Sequence, residues 1–174
     1  SCRLGVAPGV KLAADMSDRS DPVPSTAPPG DTPRTAAQLF VDCLENEGVE
    51  YVFGVPGLSL VPLFAAINRQ DKIKPILAKH EEGAAFMADG YARVKGGLGV
   101  CFATSGPGAT NLITGVATSY LDNIPVLVLT GQVATSTSGG GAFQDSTKNG
   151  VDSVGMFDPI TKYSSMIISK YRVG

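Results

Sequence analysis

The sequence has little charge, one histidine and no tryptophan. Only 17% of its 174 residues are charged, and the formal net charge is −2. Binding to nucleic acid or to an anionic membrane surface requires a basic patch, so the composition predicts neither partner. The apolar runs, such as IPVLVLTG, are too short to span a bilayer. The composition therefore indicates a globular protein rather than a disordered or fibrous one.

Several catalytic motifs are absent from the sequence. It contains no G-x-x-x-x-G-K-[ST] phosphate loop, no G-x-S-x-G nucleophile motif and no H-E-x-x-H zinc motif. A dinucleotide fingerprint fails as well, because Asn111 stands where SGPGATN would need its third small residue. The three cysteines show no C-x-x-C spacing, so no zinc site is predicted and the reducing cytoplasm is the expected location.

The first 34 residues differ in composition from the rest. They are rich in Pro, Ser and Asp and lack periodicity, so a disordered N-terminal tail is predicted over 1–34. Its acidic and basic residues balance, unlike those of a transit peptide, and it lacks the apolar core of a signal peptide. Met16 is the first methionine and a candidate translation start.

After the tail, strand and helix patterns alternate. Thr35 and Gln38 have the spacing of a capping box, and Gly48 is placed to end the helix that they begin. The strand patterns are almost continuously apolar, as in a parallel sheet covered on both faces. We therefore predict an α/β fold, a doubly wound parallel sheet with helices on both faces. The predicted strands are 51–57, 73–80, 98–105, 124–131 and, more weakly, 161–168. Two predicted helices begin at the N-caps Thr35 and Ser59, and two more cover 82–94 and 109–120. A loop is predicted over 132–153.

Four polar or glycine-rich loops follow the predicted strands. In open α/β sheets, ligands bind outside the carboxyl ends of the strands. Glu81 and Glu82 lie there, directly after His80. They could be carboxylates that favour the positive end of a helix dipole or members of a functional site. SGPGATN could likewise be a tight turn or an anion cradle of backbone N–H groups.

Five motifs together resemble a known family. GVPG, KHEEGAAFMADGYAR, TSGPGATN, IPVLVLTGQV and GAFQD, in this order, resemble the N-terminal pyrimidine-binding domain of thiamine-diphosphate-dependent enzymes, most closely the acetolactate synthase (acetohydroxyacid synthase) large subunit. The resemblance implies that 35–174 is this domain, with its last helix and strand missing. It also implies decarboxylation of a 2-keto acid such as pyruvate and its ligation to a second carbonyl, a transferase reaction of branched-chain amino acid biosynthesis.

The resemblance assigns roles to individual residues. It places Glu81 beside N1′ of the cofactor's aminopyrimidine, where a shared proton favours the imino tautomer whose 4′-nitrogen removes the C2 proton. Many synthases have Arg-His-Glu-Gln here, so Glu82 is an alternative, although the His-Glu register favours Glu81. The other implied residues are the pyrimidine neighbours Val55, Pro56, Gly57, Pro107 and Asn111, and the substrate-proximal Phe143 and Gln144.

The resemblance also implies what lies outside this chain. Helix 82–94 resembles one that packs across a homodimer or tetramer interface, and the active site is completed by another chain. The Mg²⁺ ligands are expected in a C-terminal domain, and FAD is an option in the full-length enzyme. Alone, the chain is expected to be an inactive and marginally stable fragment with an exposed sheet edge.

The loop GVPGLS departs from the commoner Gly-Gly-Ala-Ser type and leaves the reaction open. One alternative is another decarboxylase or acetyltransferase of the superfamily, such as a sulfoacetaldehyde acetyltransferase. A second alternative is a non-catalytic module that pairs with a full-length subunit.

Overall fold

The computed structural model describes residues 34–168 and the backbone of 11–14. Its six strands form one parallel sheet in the order β3-β2-β4-β5-β1-β6. The elements are β1 (Lys11–Ala14), α1 (Ala36–Asn46), β2 (Tyr51–Gly54), α2 (Val61–Ile67), β3 (Lys74–Leu77), α3 (Glu81–Lys95), β4 (Gly99–Ala103), α4 (Pro107–Asn111), α5 (Ile113–Leu121), β5 (Val126–Thr130), α6 (Ser153–Phe157) and β6 (Tyr163–Met166), with 3₁₀ turns at Leu58–Leu60 and Asp158–Ile160.

Helices cover both faces of the sheet, which confirms the predicted fold class. Side chains of neighbouring residues in β4 and β5 point to opposite faces and divide the core into two clusters. Phe102 and Leu129 pack with α1 and α2, whereas Cys101 and Val128 pack with α3, α4 and α5. All five residues of both strands are buried. The two central strands are therefore fixed between two apolar layers.

Local capping starts the two longest helices. The Thr35 N–H donates to Gln38 Oε1 at 2.9 Å and the Gln38 N–H donates to Thr35 Oγ1 at 3.2 Å, so the predicted capping box is confirmed. At α3, the Glu82 N–H donates to His80 Nδ1 at 3.2 Å. The predicted Ser59 cap is wrong, because α2 begins at Val61 after a 3₁₀ turn and without a side-chain cap.

The structure differs from the sequence prediction near both ends of the described chain. A disordered tail is predicted over 1–34, but β1 is a strand that pairs with β5 on one side and β6 on the other. Pairing with two strands distant in sequence, rather than local composition, determines this conformation. Residues 15–33, including Met16, lie outside the described residues. α6 was not predicted, since its five residues are too few for a helical periodicity to show.

The helix predicted over 109–120 is two helices. α4 ends at Asn111 and α5 begins at Ile113, with Leu112 at the junction. α4 begins at Pro107, directly after the loop that leaves β4. This short helix is the element that carries the predicted Pro107 and Asn111.

Candidate functional site

The candidate site lies at the carboxyl ends of β2, β3, β4 and β5. Because these strands are parallel, the loops that follow them meet at one edge of the sheet. The four loops are those identified in the sequence, and the segment around 143–146 folds back onto the same edge.

Glu81 is the first residue of α3 and is half-buried. Its Oε2 accepts a hydrogen bond of 3.0 Å from Nδ2 of Asn111 at the end of α4. The resemblance implied that both residues approach the cofactor pyrimidine, and the fold brings them into contact across 30 positions of sequence. His80 is exposed and caps α3, because its imidazole Nδ1 accepts a hydrogen bond from the Glu82 N–H.

Thr104 connects this carboxylate with the loop after β2. A Cβ added to Gly57 would lie 2.4 Å from Thr104 Oγ1, and one added to Gly108 would lie 2.8 Å from Thr104 Cγ2 and 3.4 Å from Glu81 Oε1. Ser59 Oγ is 3.2 Å from Thr104 Oγ1, which explains why it does not cap a helix. Thr104 belongs to the TSGPGATN motif but was not singled out, because nothing in its local sequence distinguishes it.

A cavity of about 570 Å³ opens beside Thr104. The predicted substrate-proximal residues Phe143 and Gln144 both line it, and Phe143 is 87% exposed at its rim. The lining residues are Leu58, Ser59, Val61, Pro62, Thr104, Ser105, Gln132, Val133, Ala134, Phe143 and Gln144. Thr104 is therefore shared between the cavity and the surroundings of Glu81.

Three predicted residues lie at the margin of this arrangement. Val55 is half-buried and Pro56 is exposed, both in the loop that leads to the cavity lining. Pro107 is exposed in the first turn of α4. The structure does not show a contact of these residues with Glu81, so their place near a pyrimidine ring stays a prediction.

A buried hydrogen-bond network joins three loops beneath the cavity. The Gly106 N–H donates to Ser146 Oγ at 2.6 Å, and the Ser146 N–H donates to Gln132 Oε1 at 3.0 Å. Gln144 has a positive φ of 62°, and a Cβ added to Gly106 would lie 3.1 Å from its Cβ. Such backbone conformations of non-glycine residues cluster at functional sites.

Asp145 organises the turn next to Gln144. Its Oδ2 accepts from the Gly139 N–H at 2.6 Å and its Oδ1 from the Thr147 N–H at 2.9 Å. Hydrogen bonds from Thr147 and from the Gly139 N–H lower the pKa of the Asp145 carboxyl below its ordinary value. The side chain is therefore an ionised acceptor at neutral pH, and it holds the chain segment that carries Phe143 and Gln144, the two residues predicted to lie near the substrate.

These residues fit an aminopyrimidine group. A ring nitrogen that shares a proton needs a carboxyl group in a fixed orientation. Glu81 provides this group, and the hydrogen bond from Asn111 Nδ2 fixes its orientation. Gly57 and Gly108 lack the Cβ that would clash with Thr104, so their backbones pack directly against this residue beside Glu81. Over residues 34–168, no group of three or more His, Cys, Asp or Glu side chains could hold a metal ion, and no helix is long and apolar enough to cross a membrane.

Residues 34–156 match the family model described as the thiamine pyrophosphate enzyme, N-terminal TPP binding domain. The chain belongs to this family. The match covers the loops after β2, β3, β4 and β5 and the 143–146 segment, so the geometry above is that of a thiamine pyrophosphate enzyme N-terminal domain.

Curated relatives carry a more specific name. The chain is similar to acetolactate synthase of Arthrospira platensis, with 49% identity over 136 residues, and to the acetolactate synthase large subunit of Lactococcus lactis, with 47% identity over 135 residues. It is 45% identical over 133 residues to acetolactate synthase isozyme 1 large subunit of Escherichia coli K12. These alignments cover 76–78% of this chain and 23% of each relative. The chain thus spans less than a quarter of the relatives it matches.

Proposed function

We propose that this chain supplies the cofactor-activating domain of a thiamine-diphosphate-dependent, acetolactate-synthase-like transferase. The whole protein decarboxylates a 2-keto acid such as pyruvate and joins the remaining fragment to a second carbonyl. The observation that carries the proposal is the contact between Glu81 and Asn111 beside Gly108 and Thr104, in a family that binds thiamine pyrophosphate.

When bound, thiamine diphosphate supplies a carbon nucleophile and an electron sink for decarboxylation. Glu81 holds the proton at the pyrimidine N1′, and Asn111 keeps the carboxyl group in one orientation through the 3.0 Å hydrogen bond. Thr104, with Gly57 and Gly108 packed against it, would line the wall beside a bound ring. The cavity next to Thr104 takes the 2-keto acid, with Phe143 closing its rim.

Hydrogen–deuterium exchange at the cofactor C2 tests the role of Glu81. Glu81→Gln in the complete protein should slow exchange by about 10²-fold or more, the range usual for loss of a general acid–base group. Glu82→Gln is the matched control and should leave exchange near the parent rate. Slow exchange in the Glu82 variant together with normal exchange in the Glu81 variant would reverse the assignment.

Product analysis separates the reaction from its alternatives. Pyruvate supplied to the complete protein with thiamine diphosphate and Mg²⁺ should give acetolactate. Free acetaldehyde would instead indicate a decarboxylase. Acetyl phosphate formed from sulfoacetaldehyde and phosphate, with release of sulfite, would indicate an acetyltransferase. Absence of all these products, with co-purification of a longer subunit, would favour a non-catalytic partner module.

We propose that α3 forms a homodimer or tetramer interface. One stripe of the helix exposes Phe86, Met87 and Val94, at 42%, 43% and 92% exposure, and an added Cβ at Gly83 or Gly90 would meet open space. Apolar side chains between small residues suit close packing against another helix. In sedimentation experiments, Val94→Glu should dissociate the oligomer. The control Leu121→Glu, which also replaces an exposed apolar side chain by a charged one but lies on α5, should sediment as the parent does.

We also propose Mg²⁺ and, as an option, FAD as further cofactors held by residues beyond this chain, and a cytoplasmic location. Membership of the thiamine pyrophosphate enzyme family and the similarity to acetolactate synthases support this proposal. Chelation should abolish turnover and Mg²⁺ should restore it. The flavin absorbance of the purified complete protein tests whether FAD is bound, and cell fractionation tests the cytoplasmic location.

A further inference from the structure

Gln132 follows β5 and is 2% exposed. Its Oε1 accepts hydrogen bonds from the Val133 N–H at 2.7 Å and from the Ser146 N–H at 3.0 Å. Both partners are donors, so they must face the carbonyl oxygen of the side-chain amide rather than its nitrogen. The orientation of the amide is thereby fixed, and its NH₂ group occupies the other side.

The Nε2 atom of Gln132 is buried and has no hydrogen-bond partner in the described part of the chain. Buried polar groups are nearly always paired, and each exception calls for a physical explanation. Gln132 is also a lining residue of the 570 Å³ cavity, between the loop after β4 and the segment with Phe143 and Gln144. An oriented donor without an internal partner, on the wall of a cavity, is placed to pair with what binds there.

The lining of the cavity indicates the chemistry of that ligand. It contains apolar side chains, three hydroxyl groups and the amides of Gln132 and Gln144, and none of its residues is charged. An NH₂ donor pairs with a carbonyl or carboxylate oxygen. We propose that Gln132 is a specificity-determining residue whose Nε2 donates a hydrogen bond to an oxygen of the 2-keto acid. This inference rests on the proposed function and assigns one more residue to it.

The variant Q132E tests the donor without removing the acceptor. The introduced carboxyl group has the same shape and keeps an oxygen for Val133 and Ser146, while its second oxygen replaces the NH₂ group. The protonated carboxyl can still donate, whereas the carboxylate cannot and repels an anionic substrate. We expect the ratio of the KM values of variant and parent for pyruvate to rise with pH, reaching about 10-fold or more once the carboxyl is ionised.

Gln70 provides a matched control. Its Oε1 also accepts from two backbone N–H groups, those of Lys72 and Ile73, but its Nε2 donates to the carbonyls of Ile67 and Ile73. Q70E should therefore lower the midpoint of urea unfolding and leave KM unchanged. Q132E, which keeps an oxygen for Val133 and Ser146, should show the larger KM effect.

The outcomes separate this inference from the function on which it rests. If the parent converts pyruvate and the KM ratio for Q132E stays within two-fold at every pH, Gln132 does not contact the substrate and the inference is wrong. If the parent converts no 2-keto acid, the proposed function fails as well. If Q132E does not fold, Q132M replaces it; that variant has no donor, so a large KM increase independent of pH supports the inference and an unchanged KM overturns it.

Discussion

Replacing Ser146 by Ala removes the acceptor of a buried backbone donor. Ser146 is 1% exposed, and its Oγ accepts from the buried Gly106 N–H at 2.6 Å. The bond between the Ser146 N–H and Gln132 uses the backbone and survives the change. The change removes the bond that Ser146 Oγ accepts from the Gly106 N–H and the weaker 3.4 Å bond from Ser146 Oγ to the Gln144 carbonyl. Leaving the Gly106 N–H unpaired costs about 1–3 kcal/mol.

Circular dichroism can follow both unfolding in urea, which gives the free energy of unfolding and the m value, and thermal unfolding, which gives Tm. For a chain of this size, 1 kcal/mol corresponds to roughly 2–4 °C in Tm, so S146A should unfold about 2–12 °C below the parent with an unchanged m value. Ser138, an exposed serine in the same loop, provides the control, and S138A should stay within about 0.5 kcal/mol of the parent. A free energy of unfolding for S146A within about 0.3 kcal/mol of the parent would refute the proposed network.

Three further predictions follow from packing and ionisation. Gly99→Ala should lower the free energy of unfolding by about 1–3 kcal/mol, because its Cβ would lie 2.2 Å from the backbone oxygen of Ala88, whereas Gly97→Ala, with open space, should change it little. Asp145 has a lowered pKa, so its contribution to the free energy of unfolding is present above about pH 4 and is lost as pH falls further. D145N should therefore weaken the pH dependence of the free energy of unfolding below about pH 4. Burial raises the pKa of the Cys101 thiol to about 12, so mass spectrometry should show its alkylation only after unfolding.

The parts of the fold predicted from the sequence are those that local patterns determine. The capping box of Thr35 and Gln38 depends on residues three positions apart, and its geometry could be read from their spacing. The almost continuously apolar runs of β4 and β5 indicated strands covered on both faces, because neighbouring side chains of a strand point to opposite faces of the sheet. The parallel order of these strands then placed their following loops at one edge.

The parts that could not be predicted depend on contacts between distant residues. Nothing near Thr104 indicates that Gly57 and Gly108 pack against it, and nothing near Gln132 indicates the bond from Ser146. β1 is a strand because two other strands lie beside it. In the site, the resemblance named Glu81 and Asn111, but their 3.0 Å contact depends on the packing of α3 against α4, which no local pattern shows.

The central claim is that the carboxyl group of Glu81 holds the cofactor pyrimidine. A crystal structure of the complete protein with thiamine diphosphate tests it most directly. We predict that an oxygen of Glu81 lies about 2.6–3.2 Å from N1′, the distance required for proton sharing, with Asn111 still bonded to the same carboxyl group. A pyrimidine whose N1′ faces Glu82 or another side chain, or a cofactor bound away from this edge of the sheet, would contradict the account.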